Sequence, residues 1–390
     1  MKKIKVLCVV DFYLPGFRGG GPIRTLSNMC EALGSNVEFL IFTRDRDLGS
    51  GEPYPGVRTN KWLRSPSGFV YYADPSKFNA RHMAKAAELH DFDVLYLNSF
   101  FGYRSSISIY LKQLLVRRNY ANVCIAPRGE FSAGALSIKR LKKRIYLSCA
   151  RLAGLYRGVH WHASTSLEAE DIQRQFPHSR GKIHLAADPV SAAGKYSMPP
   201  AHPRKTAGQL AIAFISRISP KKNLAGLLEI LSRVDRKIKL TIFGPIEDAA
   251  YWQKCQAMIK RLPSHITVEY RGMLEPDEVS ATFAAFDLFA FPTLGENFGH
   301  VVFEALRAGT PVLVSDQTPW RAVSSGAITV VPLGSIDIWR QQLAVAADRD
   351  SQEQRLLQTA AIEFAKRYAA SDGARSDTLA MFRSVSNLLK

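Results

Sequence analysis

The 390-residue sequence predicts an α/β protein built from two Rossmann-like, doubly wound domains facing across a cleft. Three observations carry this. Short β-branched segments alternate with helical stretches, the alternation runs twice on either side of a polar, Pro-rich segment, and glycines or cations follow several strand ends. The length is too great for one ordinary core and comfortable for two.

The first strand is Ile4–Val10, apolar on both faces as a buried parallel strand should be. It ends at Asp11, and Gly19, Gly20 and Gly21 precede a helix over about 23–33. Strands recur at Val37–Phe42, Val94–Leu97 and Val123–Ala126, with helices over about 78–89, 105–118 and 136–157. These elements define a first domain over 1–190. The stretch from Asp188 to Gly208, with Pro199, Pro200 and Pro203, reads as a linker. A second domain over 205–371 begins with the strand Leu210–Ile215 and a helix over 223–234. It continues with strands at Lys239–Phe243, Ile266–Tyr270, Leu288–Phe291, Val312–Val314 and Ile328–Val331. Helices are expected over 249–260, 275–285, 299–308 and 351–370, and a last one over 375–389.

Composition narrows the function. Apolar residues make up 46% and charged ones 22%, with mean hydropathy −0.09, which describes a globular chain and excludes a disordered one. No apolar run reaches the ~20 residues of a membrane-spanning helix, and the start lacks the apolar core of a signal peptide. The five cysteines form no C-x-x-C pair, which argues for free thiols in a reducing cytoplasm. The net charge of +18 is uneven: residues 1–200 carry +14, and residues 101–150 hold ten Lys/Arg against one acid. The first domain is therefore expected to meet something anionic.

Three constellations could carry chemistry. After the strand ending at Phe291 comes a loop with Glu296, Asn297, Phe298 and Gly299, then a helix bearing Glu304. A helix start at this place offers free N–H groups to phosphate. The eight residues from Glu296 to Glu304 would rise roughly 12 Å if helical, which suits hydroxyl-bearing groups on either side of a diphosphate. Arg217 and Lys222 follow the strand Leu210–Ile215, where cations can neutralise a leaving diphosphate. Gly20 and Gly21 let backbone amides approach a bound phosphate or sugar, and are candidates for binding the donor.

Together these residues resemble the family 4 retaining glycosyltransferases of GT-B fold. The E-x7-E element matches Glu296 and Glu304, with Asn297-Phe-Gly299 inside it. The family's Arg and Lys match Arg217 and Lys222, its glycine loop matches Gly20 and Gly21, and its strand-end turn matches Phe243-Gly244-Pro245. The resemblance implies sugar transfer from a nucleotide diphosphate to a hydroxyl with retained configuration. It places Arg217 and Lys222 on the diphosphate and Glu304 on the ribose. Glu296 and the backbone of Asn297–Gly299 would hold the donor sugar, and Met273 would lie at the base. The resemblance also implies a nucleotide-sugar-binding second domain and an acceptor-binding first domain, onto which the C-terminal helix 372–390 returns. Many relatives carry a His after the first domain's Val94–Leu97 strand, where this chain reads Asn98–Phe101. Arg128 and Glu130, in a Pro-Arg-Gly segment similar to polysaccharide and lipopolysaccharide relatives, are the acceptor-side candidates.

The expected partners are the nucleotide sugar, a glycan or polyprenyl-diphosphate-linked acceptor, and an anionic membrane surface. Nucleic acid is not expected, and no cofactor is needed because the nucleotide sugar is a substrate. The location would be cytoplasmic, peripheral on the inner membrane face, in surface-polysaccharide synthesis. The basic stretch Lys139–Arg144, with Ile145 and Leu152, is the candidate membrane segment. His160 and His162 alternate with apolar residues and read as packed along one side of a strand rather than as metal ligands. The D-x-D matches Asp45/Asp47 and Asp348/Asp350 are weak, so no metal is expected. Two other readings remain. One is a nucleotide-sugar 2-epimerase of the same fold; the other is a basic nucleic-acid-binding protein, disfavoured because basic and aromatic residues do not interleave.

Overall fold

The computed structural model describes residues 3–115, 122–191 and 205–386. The chain divides into two compact units, Met1–Ser191 with Ser371–Lys390, and Ala192–Ala370. Most of the linker segment 188–208 (residues 192–204), residues 116–118 of the helix placed over 105–118, and residues 387–390 lie outside the described residues.

The first unit runs β1 (Ile4–Val9), α1 (Gly21–Leu33), β2 (Val37–Arg44), β3 (Trp62–Ser65), β4 (Gly68–Ala73), α2 (Ala80–Ala87) and β5 (Val94–Leu97). After a π-helical turn (Tyr103–Ile107) come α3 (Ser108–Leu115), β6 (Asn122–Ile125), α4 (Ala133–Ser137), α5 (Arg140–Leu152), β7 (His160–Ala163), α6 (Ser166–Gln175) and β8 (Ile183–Leu185). The sheet order is β3-β4-β2-β1-β5-β6-β7-β8, parallel except for β3. Strand β1 feeds both faces: Leu7 and Val9 join one core cluster, Val6 and Cys8 the other. That is why the strand shows no polar alternation.

The helix expected over 136–157 is two helices. Ile138 is extended and Lys139 left-handed (φ 53°), so α4 ends before α5 begins. The β3–β4 hairpin escaped the sequence reading because its strands are short and half-exposed.

The second unit runs β9 (Gln209–Ile215), α7 (Leu224–Leu231), β10 (Lys237–Phe243), α8 (Ala249–Ile259), β11 (Ile266–Tyr270), α9 (Glu278–Ala284) and β12 (Leu288–Phe291). It continues with α10 (His300–Arg307), β13 (Val312–Ser315), β14 (Ile328–Val331), α11 (Ile336–Asp348) and α12 (Ser351–Ala370). Its all-parallel sheet has the order β11-β10-β9-β12-β13-β14. The strand order reverses between β9 and β12, and loops leaving such a switch point flank a ligand crevice.

The last helix, α13 (Gly373–Ser386), belongs to the first unit. Met381, Phe382 and Val385 are buried in the cluster that holds Val6, Cys8 and Phe39. Phe382 meets Phe39 at 6.2 Å and Tyr96 at 5.5 Å, both edge-on.

Candidate active site

In the second unit the two switch-point loops bring together residues 74 apart in sequence. Lys222, in the 3₁₀ turn Pro220–Lys222 after β9, places Nζ 2.5 Å from Glu296 Oε1, after β12. Both side chains are largely buried, 13% and 11% exposed. The Thr293 hydroxyl lies 3.2 Å from the same carboxylate oxygen, and the Glu296 amide donates to Gln317 O. Burial pushes the Glu296 carboxyl up, but Lys222, Lys221 and the Lys222 and Thr293 hydrogen bonds outweigh it, so the net direction is down. The two neighbouring lysines thus favour the ionised form of Glu296.

The loop then delivers helix α10. Gly299 is its N-cap at φ 78°, ψ 58°, a left-handed conformation that suits glycine, and no side chain caps the helix. Phe298 is buried, and its carbonyl accepts from Trp320 Nε1 at 2.7 Å. The Asn297–Gly299 backbone is thus clamped while the first-turn amides lack a side-chain cap, which is the arrangement an anion requires. Glu304, half-buried, stands on the second turn of α10.

Gly244 follows β10 at φ 130°, and a Cβ there would lie 2.0 Å from the Ser216 carbonyl oxygen. Only glycine lets the β9 and β10 loops pass this closely. Its amide donates to Gly272 O at 2.7 Å and its carbonyl accepts from Tyr270 OH, which draws in the turn bearing Met273. Arg217 is not gathered with Lys222 and Glu296. Its Nη1 pairs with Glu247 at 2.9 Å, with side chains 37% and 44% exposed. Exposed pairs of this kind contribute about 0–1 kcal/mol, so the guanidinium is loosely held.

In the first unit the glycine loop follows β1. Gly20 is the N-cap of α1, and Gly21 is the first residue of that helix rather than part of the loop. Asp47, from one D-x-D match, accepts from the Phe17 and Arg18 amides and so shapes this loop. Its neighbour Asp45 binds Arg46, and Asp348 of the other match binds Arg236. Among the described residues no cluster of three or more His, Cys, Asp or Glu is placed to hold a metal.

Arg128 and Glu130 turn inward. Arg128 donates to Asn98 Oδ1 (2.6 Å), Ser164 Oγ (3.1 Å), Asp188 Oδ1 (2.5 Å) and Tyr96 OH (2.7 Å), and its side chain is 8% exposed. Tyr96 in turn meets His162 Nδ1 at 2.6 Å, and His162 Nε2 lies 2.8 Å from Ala186 O. Burial, then the Arg128 charge, pushes His162 down to about 4, so its ring is neutral at pH 7. His160 meets His184 instead and is also pushed down to about 4, by burial first and His184 second. All four residues of β7 are buried, so the expectation that one side only is packed fails: the strand lies inside a sheet covered on both faces. Glu130 accepts from Ser99 Oγ and from the Phe100 and Phe101 amides. Both candidates thus fix the strand-end loops from beneath, and their charged atoms are engaged within the unit. Sequence reasoning missed Asp188, placed in the linker, and Thr293. Asp188 lies 60 residues from Arg128, and Thr293 follows a strand end without charge to flag it.

Comparison with known proteins fits this geometry. Residues 200–325 match the family described as glycosyl transferases group 1. O-antigen chain mannosyltransferase B of Escherichia coli is 23% identical over 176 residues, 44% of this chain and 45% of that protein. Alpha-monoglucosyldiacylglycerol synthase of Streptococcus pneumoniae is 30% identical over 110 residues, 27% and 24% of the two chains. The chain thus spans less than half the length of these relatives. Among solved structures, HepE of Anabaena in complex with UDP and glucose superposes with TM-score 0.66 at 15% identity, over 99% of both chains. Sucrose-phosphate synthase from Thermosynechococcus elongatus gives 0.72 at 15% identity, over 99% of this chain and 100% of that one. The two sheets have the GT-B fold, and within the second unit residues 200–325 are similar to the group 1 glycosyl transferases.

Proposed function

We propose that the chain transfers a sugar from a nucleotide diphosphate to a hydroxyl of a glycan acceptor carried on a polyprenyl diphosphate lipid, with retention and without a metal ion. The observation that carries this is the buried Lys222–Glu296 pair beside the uncapped start of α10. In this reading the second unit holds the donor: α10 amides and Lys222 take the diphosphate, and Glu304 takes the ribose hydroxyls. Glu296 and the Asn297–Gly299 backbone orient the sugar, with Gly244 and Met273 bordering the base. Arg217 leaves Glu247 for the diphosphate once the donor is bound. The first unit presents the acceptor through the loops that Arg128 and Glu130 shape, and the Gly20–Gly21 backbone serves the donor's phosphate or sugar. The sugar–phosphate bond breaks, the acceptor oxygen bonds to the sugar on the same face, and its proton passes to the departing phosphate oxygen. Fixed charge and positioning supply the rate.

The relatives' names support a carbohydrate surface product, since one acts on O-antigen chains. HepE's complex with UDP and glucose supports a uridine donor as the first to test. The working site is the inner membrane face.

Nucleoside diphosphates should raise the melting temperature, because a ligand bound only by the folded state stabilises it. Glu304→Ala should lose most of that shift. An unchanged shift would remove Glu304 from the ribose, and no shift with any nucleotide would refute a donor site. Transfer should survive chelation, and activity lost on EDTA and restored by Mg²⁺ or Mn²⁺ would overturn metal independence. Donor incubated alone and returned as an isomerised nucleotide sugar would replace transfer by 2-epimerisation.

A further inference from the structure

Helix α5 has an exposed face that the fold does not use. Leu141, Ile145 and Leu152 recur at four and seven residues, so they share one side, and they are 71%, 56% and 89% exposed. Beside this ridge, nearer the core, runs a row formed by Arg140, Arg144 and Arg151. The helix holds five Lys/Arg and no acid. The row opens onto a cavity of about 430 Å³ between α4, α5 and the end of α6. Ala133, Leu136 and Leu147 give it apolar walls, and none of its lining residues is acidic. Lys143 is engaged there, donating to Ala135 O at 2.7 Å and lying over the Phe101 ring. Arg140 and Arg144 make no side-chain hydrogen bond or ion pair among the described residues.

We propose that this cavity seats the phosphate-bearing head of one anionic membrane lipid, while the Leu141–Ile145–Leu152 ridge enters the acyl boundary of the same leaflet. Charge and shape both require such an occupant. The arginine row needs an anion, the leucine and alanine walls need an apolar stem, and the adjoining ridge needs a medium that is not water. A nucleic acid would satisfy the arginines and leave the ridge wet. The size lies within the range of small-molecule sites. This specifies the membrane location proposed above and is independent of the transfer chemistry.

The experiment is vesicle co-flotation of the full chain with phosphatidylglycerol/phosphatidylcholine and with phosphatidylcholine alone. Wild type should float with the anionic vesicles and not with the neutral ones. Replacing Arg140, Arg144 and Arg151 together by alanine should lower partitioning about a hundredfold, near fivefold per charge. Leu141→Ser, Ile145→Ser and Leu152→Ser combined should lower it at least as much with every charge kept. Ala133→Trp, which fills the cavity and keeps both charge and ridge, should lower it tenfold or more. The substituted side chains are mostly exposed, and unchanged melting temperatures would verify folding. Loss with the arginine set but not with the ridge or Ala133→Trp would mean diffuse surface charge and overturn the seat. Equal flotation of all variants, no flotation of wild type, or displacement of the vesicles by a short RNA would overturn it too. Transfer to a soluble acceptor analogue should stay unchanged in every variant, so failure here is separable from failure of the transferase reading.

Discussion

Lys222→Ala is expected to lower transfer by about 10²–10³, the cost of removing one preorganised charge from a developing anion, and also to destabilise the second unit. Glu296 is 11% exposed and faces Lys222 directly. Removing one member of a buried pair leaves the other uncompensated, at a cost of about 3–5 kcal/mol. A bare loss of activity would therefore be ambiguous, and a second variant resolves it. Lys222→Met with Glu296→Gln removes both charges, so stability should return toward wild type while transfer stays lost. Urea unfolding and initial rates on the same preparations give both quantities. Near-normal turnover in Lys222→Ala would refute its assignment to the diphosphate. The acid limb of stability should change as well. Because the folded Glu296 titrates below its ordinary value of about 4.5, the pair stabilises the fold fully above that value. The contribution is lost as pH falls through the lowered one. The double variant should lack this segment of the acid-unfolding curve.

Arg128→Ala should cost the first unit about 3–5 kcal/mol by the same argument, because it strands Asp188 at 2% side-chain exposure. Arg128→Lys should recover little: a single ammonium cannot reproduce four bonds made in fork geometry to Asn98, Ser164, Asp188 and Tyr96. Denaturant unfolding followed by the fluorescence of buried Trp161 reads the effect. If Arg128 instead bound acceptor directly, Arg128→Lys would keep wild-type stability and raise only the acceptor KM. That result would overturn the positioning role argued here.

These two networks mark where sequence reading stops. The strands β1, β9 and β12 are legible because parallel strands buried on both faces are short apolar runs, and a charge or a proline follows each within two residues. The fold class follows from their alternation with helices. The contact between Lys222 and Glu296 is not local information: it exists because β12 inserts beside β9 instead of following β11, and no pattern around either residue states that. Arg128 attracted notice as a cation at a strand end, but its partner Asp188 sits in a segment whose prolines and small residues resemble a linker. The break at Lys139 was hidden because apolar periodicity continues across it from Leu136 to Leu147. A left-handed residue that is neither glycine nor asparagine leaves little trace in composition.

The return of α13 to the first unit has a consequence for synthesis. One wall of that unit's core is supplied by Met381, Phe382 and Val385, nearly two hundred residues after its last strand. While the chain emerges from the ribosome, the second unit, one continuous stretch, can finish folding first. The earlier-made half waits with an oily flank open to solvent. Nascent chains stalled before residue 373 should therefore recruit holdase chaperones and resist aggregation poorly, whereas release of the final helix seals the flank in one step.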